Sequence, residues 1–269
     1  MIKFENTEIL GWEHAIRGCR NPMNSWALSD SHNCKTYDID CDYCKRDMNK
    51  CGKFYIGEKD LDLMKRLCNA GTDHRKFMRM IVVYVDITAP LYWWKEFDTY
   101  KVGTVANSCS TMHKIHAKEF TLDDFSYEHL FNEDNGEEDQ EHYNLWLNHM
   151  RSTIIMLNRA RERYLETKDK KYWWQMIQLL PASYNQKRTV MMNYEVLANI
   201  YKSRKDHKLD EWAETKLVGD CRSSMYPNKF TIGFCDWIKT LPYSELITGP
   251  SLKDIPNFST YSRIPFGIW

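Results

Sequence analysis

Four cysteines in a polar stretch near the N-terminus have types and spacing that could bind a metal ion. They follow the pattern Cys34-x6-Cys41-x2-Cys44-x6-Cys51, and His32 is close by. Four thiolates around a tetrahedral centre are common ligands of a structural zinc ion. Strong zinc signatures contain two CxxC pairs, whereas this stretch has one. Free thiols in an exposed insertion are therefore the alternative interpretation.

A second group of chemically useful residues lies in a loop of small and polar side chains, predicted over Gly103–Ser110. Asn107 and Ser110 belong to this loop, and a glycine-containing loop can offer backbone N–H groups to a phosphate. Lys101, just before it, adds a positive charge for the same anion. The alternative is an ordinary turn, in which Asn and Ser are common. Cys109 is predicted to be a small buried residue of this loop.

A third group lies on a helix predicted over Gln186–Arg204. Asn193 and Arg204 are eleven residues apart, which is about three helical turns, so they are expected on one face. Apolar residues lie between them on that face. The arrangement is compatible with a pocket, and also with an Asn and an Arg that border the core and reach out to water.

Composition narrows the classes of protein that could use these groups. The chain has 269 residues, of which 43% are hydrophobic and 14% aromatic, as in a folded globular protein. Lys plus Arg equals Asp plus Glu, at 37 each. This balance gives no general reason to expect binding to a nucleic acid polymer or a membrane surface. Nine scattered cysteines without an evident signal peptide favour a cytoplasmic protein.

The elements that must position these groups are predicted from hydrophobic periodicity and turn residues. Together they indicate an α+β fold in one domain, with insertions near 30–55 and 213–232. The patterns predict strands over residues 2–10 and 80–88, and helices over 12–19, 60–71, 91–101, 121–131, 142–167, 171–180, 186–204 and 234–241.

The stretch Ala89–His113 resembles the signature of the flavin-dependent thymidylate synthases. That signature reads RHRxxSxNExSxRY and follows an apolar strand, a proline and an aromatic helix, as here. After allowance for one extra residue, the Arg-His-Arg, first Ser, Asn, second Ser and Arg-Tyr of the signature correspond to Thr99, Tyr100, Lys101, Thr104, Asn107, Ser110, Met112 and His113.

A second stretch, Leu180–Trp212, is similar to the C-terminal block of the same family. There an LP is followed by N-x-R-x-x-x-N-x-x-x-x-R, and the corresponding residues Asn193, Asn199 and Arg204 match without a gap. Glu195 stands where the family has Arg. Together with Thr99 and Met112 in the first stretch, it removes or reverses charge that would hold a phosphate, because charge-assisted contacts are the strong ones.

The resemblance implies a small, mostly antiparallel sheet with several helices, assembled as a homotetramer with sites built between subunits. It implies methylation of dUMP to dTMP, with FAD as cofactor and with NADPH and methylenetetrahydrofolate as co-substrates. The cofactor carries the hydride chemistry, so no protein nucleophile is expected. The residues expected at the cofactor are His74, Tyr100, Lys101, Asn107, Asn193 and Asn199. Those expected at the nucleotide are Glu96, Ser110, Arg188 and Arg204.

The sequence leaves two alternatives to the methylation of dUMP that the resemblance implies. Glu96 stands where the family commonly has Gln, and an ionised carboxylate accepts hydrogen bonds without donating them. Contact with the base would then favour the amino group of cytosine, as in a related flavoenzyme that methylates or hydroxymethylates dCMP. A surface Glu96 paired with Lys95 is equally compatible with the sequence. The other alternative is a non-catalytic homologue that binds flavin or nucleotide.

Overall fold

The computed structural model describes residues 2–34, 54–128, 137–214 and 232–249. The chain divides into two compact units, each described by itself below. Within the described residues, unit 1 combines 2–8, 84–128, 137–191, 207–214 and 232–234, and unit 2 combines 9–34, 54–83, 192–206 and 235–249.

The main sheet has four strands in the order β1-β4-β6-β5, and β2 and β3 form a separate antiparallel pair. β5 runs antiparallel to β6, with Asn107 opposite Thr189. The small, mostly antiparallel sheet is thus confirmed. The strands are β1 (Lys3–Leu10), β2 (His32–Asn33), β3 (Phe54–Tyr55), β4 (Val82–Pro90), β5 (Val105–Ser108) and β6 (Asn185–Asn193).

Helices make up most of the remaining regular structure. None of those in the described residues is both long and apolar enough to cross a membrane. The α-helices are α1 (Trp12–Arg20), α2 (Glu58–Asn69), α3 (Leu91–Phe97), α4 (Glu137–Thr167), α5 (Lys170–Leu179), α6 (Tyr194–Arg204), α7 (Phe234–Thr240) and α8 (Glu245–Thr248).

Unit 1 has two aromatic and apolar clusters. In the first, the rings of Trp93, Phe97 and Trp212 are stacked, with the centroids of Trp93 and Trp212 at 4.4 Å and an interplanar angle of 17°. The second lies along α4 and α5, which pack on each other as a helical hairpin. Buried Leu157 and Met176 belong to that cluster. These clusters supply the hydrophobic stabilisation that holds α3 and the hairpin in place.

Unit 2 contains a buried ion pair. Arg20 Nε lies 2.5 Å from Asp60 Oδ1, and both side chains are almost fully buried. Ser29 and Ser31 donate hydroxyl hydrogen bonds to Asp60 Oδ2, each at 2.6 Å. The carboxylate is therefore well satisfied, as a buried charge must be.

Several of the sequence-based elements are wrong or shifted. The predicted loop Gly103–Ser110 contains strand β5, and the predicted helix over 121–131 is a single 3-10 turn, Leu122–Asp124. Helix α2 begins at Glu58 rather than after Asp60, because the Asp60 carboxylate serves the buried ion pair instead of a helix cap.

The largest correction concerns the helix predicted over Gln186–Arg204. Its first half is strand β6, and only α6, from Tyr194 onward, is helical. Val190 and Tyr194 are four residues apart across the strand–helix junction, and this spacing imitates a helical repeat. Asn193 is thus the N-cap of α6: its Oδ1 accepts a hydrogen bond from the Val196 N–H at 3.0 Å.

Candidate functional site

Unit 1 encloses a cavity of about 640 Å³, within the range of small-molecule sites. The predicted site residue Ser110 is one of the side chains that line it. Three lysines and three carboxylates contribute to the wall, so its formal charge is balanced. The lining residues are Lys3, Thr88, Cys109, Ser110, Thr111, Lys118, Asp123, Asp124, Phe125, Tyr127, Glu128, Tyr184, Asn185, Gln186 and Lys187.

Gln186 joins the start of β6 to the loop that follows β5. Its side chain is buried, Nε2 donates to the carbonyl oxygen of Cys109 at 2.8 Å, and Oε1 accepts from Arg188 Nε at 2.9 Å. In the backbone, the Cys109 N–H donates to the Lys187 carbonyl at 2.9 Å. This end of the cavity wall is therefore held by hydrogen bonds from both of its strands.

Arg188, predicted to contact the nucleotide, is held by its own unit. Its Nη1 lies 2.7 Å from Asp98 Oδ1, and its guanidinium carbon lies 4.1 Å from the ring centroid of Trp94. The Trp94 indole in turn donates to the Gln186 carbonyl at 2.9 Å. An ion pair and a cation–π contact fix this guanidinium in place and offset part of its charge.

Ser110 and its neighbours form a tight turn. Ser110 Oγ accepts hydrogen bonds from the backbone N–H groups of Met112, at 3.2 Å, and His113, at 2.8 Å. The hydroxyl hydrogen stays available for another acceptor. Asn107 is exposed on β5. Cys109 is an exposed free thiol on the cavity wall, so the prediction of a buried Cys109 is wrong. It directly follows the last residue of β5, which is an edge strand of the sheet.

The remaining predicted residues of unit 1 lie on or just after α3. Lys101 is exposed and forms no ion pair with any residue that the structure describes. Tyr100 is half-buried, with its ring centroid 6.2 Å from that of Trp212, and its carbonyl accepts a hydrogen bond from Thr104. Glu96 is half-buried on α3 and does not line the cavity.

Unit 2 brings together Asn199, Glu195 and an arginine that the sequence analysis did not single out. Arg75 Nη2 donates to Glu195 Oε1 at 3.2 Å and to Asn199 Oδ1 at 3.1 Å. Arg75 Nε also lies 2.9 Å from Glu195 Oε2. The charge that departs from the family pattern at Glu195 is therefore neutralised by Arg75. His74, which directly precedes Arg75, is exposed, and Arg204 is half-buried at the end of α6.

The predicted metal site falls largely outside the described residues. Cys34 is buried and forms no disulfide with a described residue, whereas Cys41, Cys44 and Cys51 are not among the residues that the structure describes. Elsewhere in the described ranges, no group of three or more His, Cys, Asp or Glu side chains could hold a metal ion. The zinc site thus stays a prediction.

No protein-family model and no curated protein matches the sequence. Solved structures do match. A crystal structure of thymidylate synthase X from Helicobacter pylori with FAD and dUMP is 14% identical, with 92% of this chain and 96% of that chain covered and a TM-score of 0.53. The fold is that of a flavin-dependent thymidylate synthase. A second structure of the Helicobacter pylori enzyme with FAD and dUMP is 15% identical at TM-score 0.54, over 92% of this chain and 97% of that one.

The thymidylate synthase fold confirms the architecture inferred from the two motif-like stretches. The first stretch covers the end of β4, α3, β5 and the turn after it, and the second covers β6 and α6. Ser110 reaches the cavity, whereas the other predicted residues do not line it.

Further residues of this site were not predicted from the sequence. Asn185, Gln186 and Lys3 all line the cavity. A correct assignment of β6 as a strand would have placed Asn185 and Gln186 at the start of the strand that pairs with β5, beside the signature loop. Nothing in the sequence pattern near Lys3 pointed to the site.

Proposed function

We propose that the chain is a flavin-dependent enzyme that methylates dUMP to dTMP, with methylenetetrahydrofolate as one-carbon donor and NADPH as reductant. The observation that carries the proposal is the thymidylate synthase fold over 92% of the chain. The order of Asn107 and Ser110, then Asn193, Asn199 and Arg204 along that fold supports it. The Helicobacter pylori structures of the same fold hold FAD and dUMP.

The donor set of the described residues fits a flavin dinucleotide. A diphosphate is best held by cations and amide donors. Lys101 offers an exposed ammonium group without an ion pair in the described part of the chain, and His74 offers an exposed imidazole. Asn107 and Asn199 are exposed and carry amide donors. When bound, FAD would supply the hydride chemistry, and Lys101 and Asn107 of unit 1 would hold and orient it. His74 and Asn199 of unit 2 are proposed as cofactor contacts from the family resemblance alone.

The proposal includes a homotetramer, with sites completed by neighbouring subunits. Helix α4 exposes several large apolar side chains, among them Leu145 at 66% and Met156 at 52% of their full area. A monomer that exposed such a surface would be prone to association. We expect other copies of the chain to cover it in a closed symmetric assembly. Light scattering on the purified protein should give four times the chain mass, and a monomer would contradict this part of the proposal.

The direct test is the flavin spectrum of the purified protein after reconstitution with FAD. We expect near-stoichiometric flavin absorbance, and we expect the gene to rescue a thymidine auxotroph. In Lys101→Ala the affinity for FAD should fall by at least about 10-fold, because one charge-assisted hydrogen bond contributes about 1.5–3 kcal/mol. Lys95→Ala removes an exposed lysine of α3 as the matched control and should leave that affinity unchanged. A colourless protein that does not bind FAD would refute the proposal.

A second candidate is the same chemistry on a cytosine nucleotide, by methylation or hydroxymethylation of dCMP. The observation that favours it is the half-buried carboxylate of Glu96 on α3. A nucleotide panel with the wild type and Glu96→Gln separates the two. A dCMP enzyme should fail to rescue the auxotroph and should lose its preference for dCMP in the variant. An unchanged base preference would end the argument from Glu96.

A third candidate is a non-catalytic protein that binds flavin or nucleotide. It is favoured by the two arginines, Arg75 and Arg188, whose charges are offset by Glu195 and Asp98. Retained FAD binding without turnover of any pyrimidine nucleotide would support this candidate against the first two.

A further inference from the structure

Unit 1 contains one cavity wall that combines aromatic rings with amide groups. Phe125 and Tyr184 supply rings, with centroids 5.7 Å apart and nearly perpendicular. Burial raises the pKa of the Tyr184 phenol above its ordinary value. Asn185 adds a carboxamide next to Tyr184. Rings and an amide donor are the groups that recognise a nucleobase, which offers a flat face and a polar edge.

We propose that Asn185 selects the base in this cavity, and that it favours a pyrimidine nucleotide with a carbonyl group at C4 over one with an amino group. The proposal rests on the proposed function, since it takes the occupant to be a pyrimidine nucleoside monophosphate. It adds a specificity-determining residue that lies within the second family-like stretch but is not one of the residues that match the family pattern.

The orientation of the Asn185 carboxamide carries the argument. Ser126 Oγ donates to Asn185 Oδ1 at 2.8 Å. Ser126 is only 6% exposed, and its own N–H donates to the Ser183 carbonyl at 2.8 Å, so the residue that carries this hydroxyl is buried and its backbone is held. With Oδ1 occupied, the Nδ2 amino group of Asn185 has no partner among the described residues. Because Asn185 lines the cavity, we infer that Nδ2 is the group left to contact an occupant.

An amino group facing the base can donate to a carbonyl and cannot accept from another amino group. Uracil carries an acceptor oxygen at C4, and cytosine carries a donor at the same position. With cytosine, two donors would meet and both would lose their partners on desolvation. An unsatisfied polar group of this kind corresponds to about a 10- to 100-fold loss of affinity.

The charges around the cavity leave one lysine for the phosphate. Lys118 pairs with Asp124, and Lys187 pairs with Glu5 at 3.0 Å. Lys3 lines the same cavity and forms no ion pair with any described residue. The occupant is therefore expected to place its phosphate near Lys3.

The test measures binding of dUMP and dCMP to the full chain by calorimetry, without turnover, and FAD binding in a separate titration. The wild type should bind dUMP at least about 10-fold more tightly than dCMP. Asn185→Asp replaces the donor with an acceptor and should abolish or reverse that ratio. Ser126→Ala frees the carboxamide to rotate and should bring the ratio toward unity, which provides an independent variant if Asn185→Asp does not fold.

Two controls separate the base contact from a general effect of charge. Asn148→Asp makes the same chemical change at an exposed position of α4 and should leave the ratio unchanged. Asp123→Asn alters an exposed carboxylate of the same wall. The proposal would be overturned if the ratio of dUMP to dCMP affinity changed in Asp123→Asn but not in Asn185→Asp. It would also be overturned if this ratio were unchanged in both Asn185→Asp and Ser126→Ala. In those cases, retained FAD and dUMP binding would leave the proposed function standing. A wild-type protein that binds neither FAD nor dUMP would refute both the proposed function and the proposed role of Asn185.

Discussion

Replacing Glu195 with Arg would restore the residue that flavin-dependent thymidylate synthases have at this position, yet we expect it to destabilise the protein. Glu195 is buried, and its carboxylate lies 2.9 Å from Arg75 Nε and accepts a hydrogen bond from Nη2 at 3.2 Å. The Arg75 side chain is 19% exposed. The substitution would therefore place two guanidinium groups against each other with little water between them.

The magnitude follows from the distances and the burial. At an effective dielectric constant of 20, two unit charges about 4 Å apart interact by about 4 kcal/mol. Breaking a buried pair by removal of one partner costs about 3–5 kcal/mol. Because Arg75 is partly exposed, we expect the lower end of this range: Glu195→Arg should reduce the free energy of unfolding by at least about 3 kcal/mol. For a chain of this size that corresponds to a fall in Tm of about 6–12 °C.

The assay is thermal and urea unfolding of both single variants and of the double variant Arg75→Glu/Glu195→Arg. The double variant reverses the pair and should recover more than half of the stability lost by Glu195→Arg. Lys202→Glu changes an exposed charge on the same helix and should stay within about 0.5 kcal/mol of the wild type. A Glu195→Arg variant as stable as the wild type, or a double variant no better than the sum of the singles, would refute this reasoning.

Two further predictions concern unit 2 and the cysteines. Burial alone would raise the pKa of Asp60, but hydrogen bonds from two serine hydroxyls and from Arg20 outweigh it and lower the pKa. Its ionised form therefore stabilises the fold above about pH 4, and this contribution is lost as the pH falls through the lowered pKa. Asp60→Asn should lower the free energy of unfolding by about 3–5 kcal/mol at pH 7. The difference in stability between variant and wild type should shrink as the pH falls, and a difference that does not change with pH would contradict the stabilising role of the Asp60 carboxylate. Burial raises the pKa of Cys19 and of Cys68 to about 12. Iodoacetamide at pH 8 should therefore modify the exposed Cys109 of the native protein and leave Cys19 and Cys68 unmodified. Peptide mass mapping of the labelled protein measures this. Equal labelling of the three would show that the buried thiols are accessible.

The sequence predicted well those elements whose pattern is local. Strand β4 was predicted from its run of β-branched residues, with both ends placed two residues too early. Helix α4 was predicted with the correct C-terminal end and with a start five residues too late. β6 was missed because its alternating burial runs directly into the helical repeat of α6, and hydrophobic periodicity does not mark the junction at Asn193.

The candidate site was less accessible to sequence reasoning than the fold. Ser110 was found because it stands in a stretch that resembles a known signature. Gln186 and Lys3 line the same cavity but belong to strands far apart in the chain, and only the order of strands in the sheet brings them to one wall. The pairing of Arg75 with Glu195 joins residues 120 positions apart. No local pattern records such contacts.

The most direct test of the central claim is the absorbance spectrum of the purified protein, reconstituted with FAD, before and after the addition of dUMP. The proposed function predicts a yellow protein with nearly one flavin per chain and a spectrum that changes when dUMP binds next to the flavin. A protein that remains colourless after reconstitution would contradict the proposed function, and the thymidylate synthase fold would then serve another purpose in this chain.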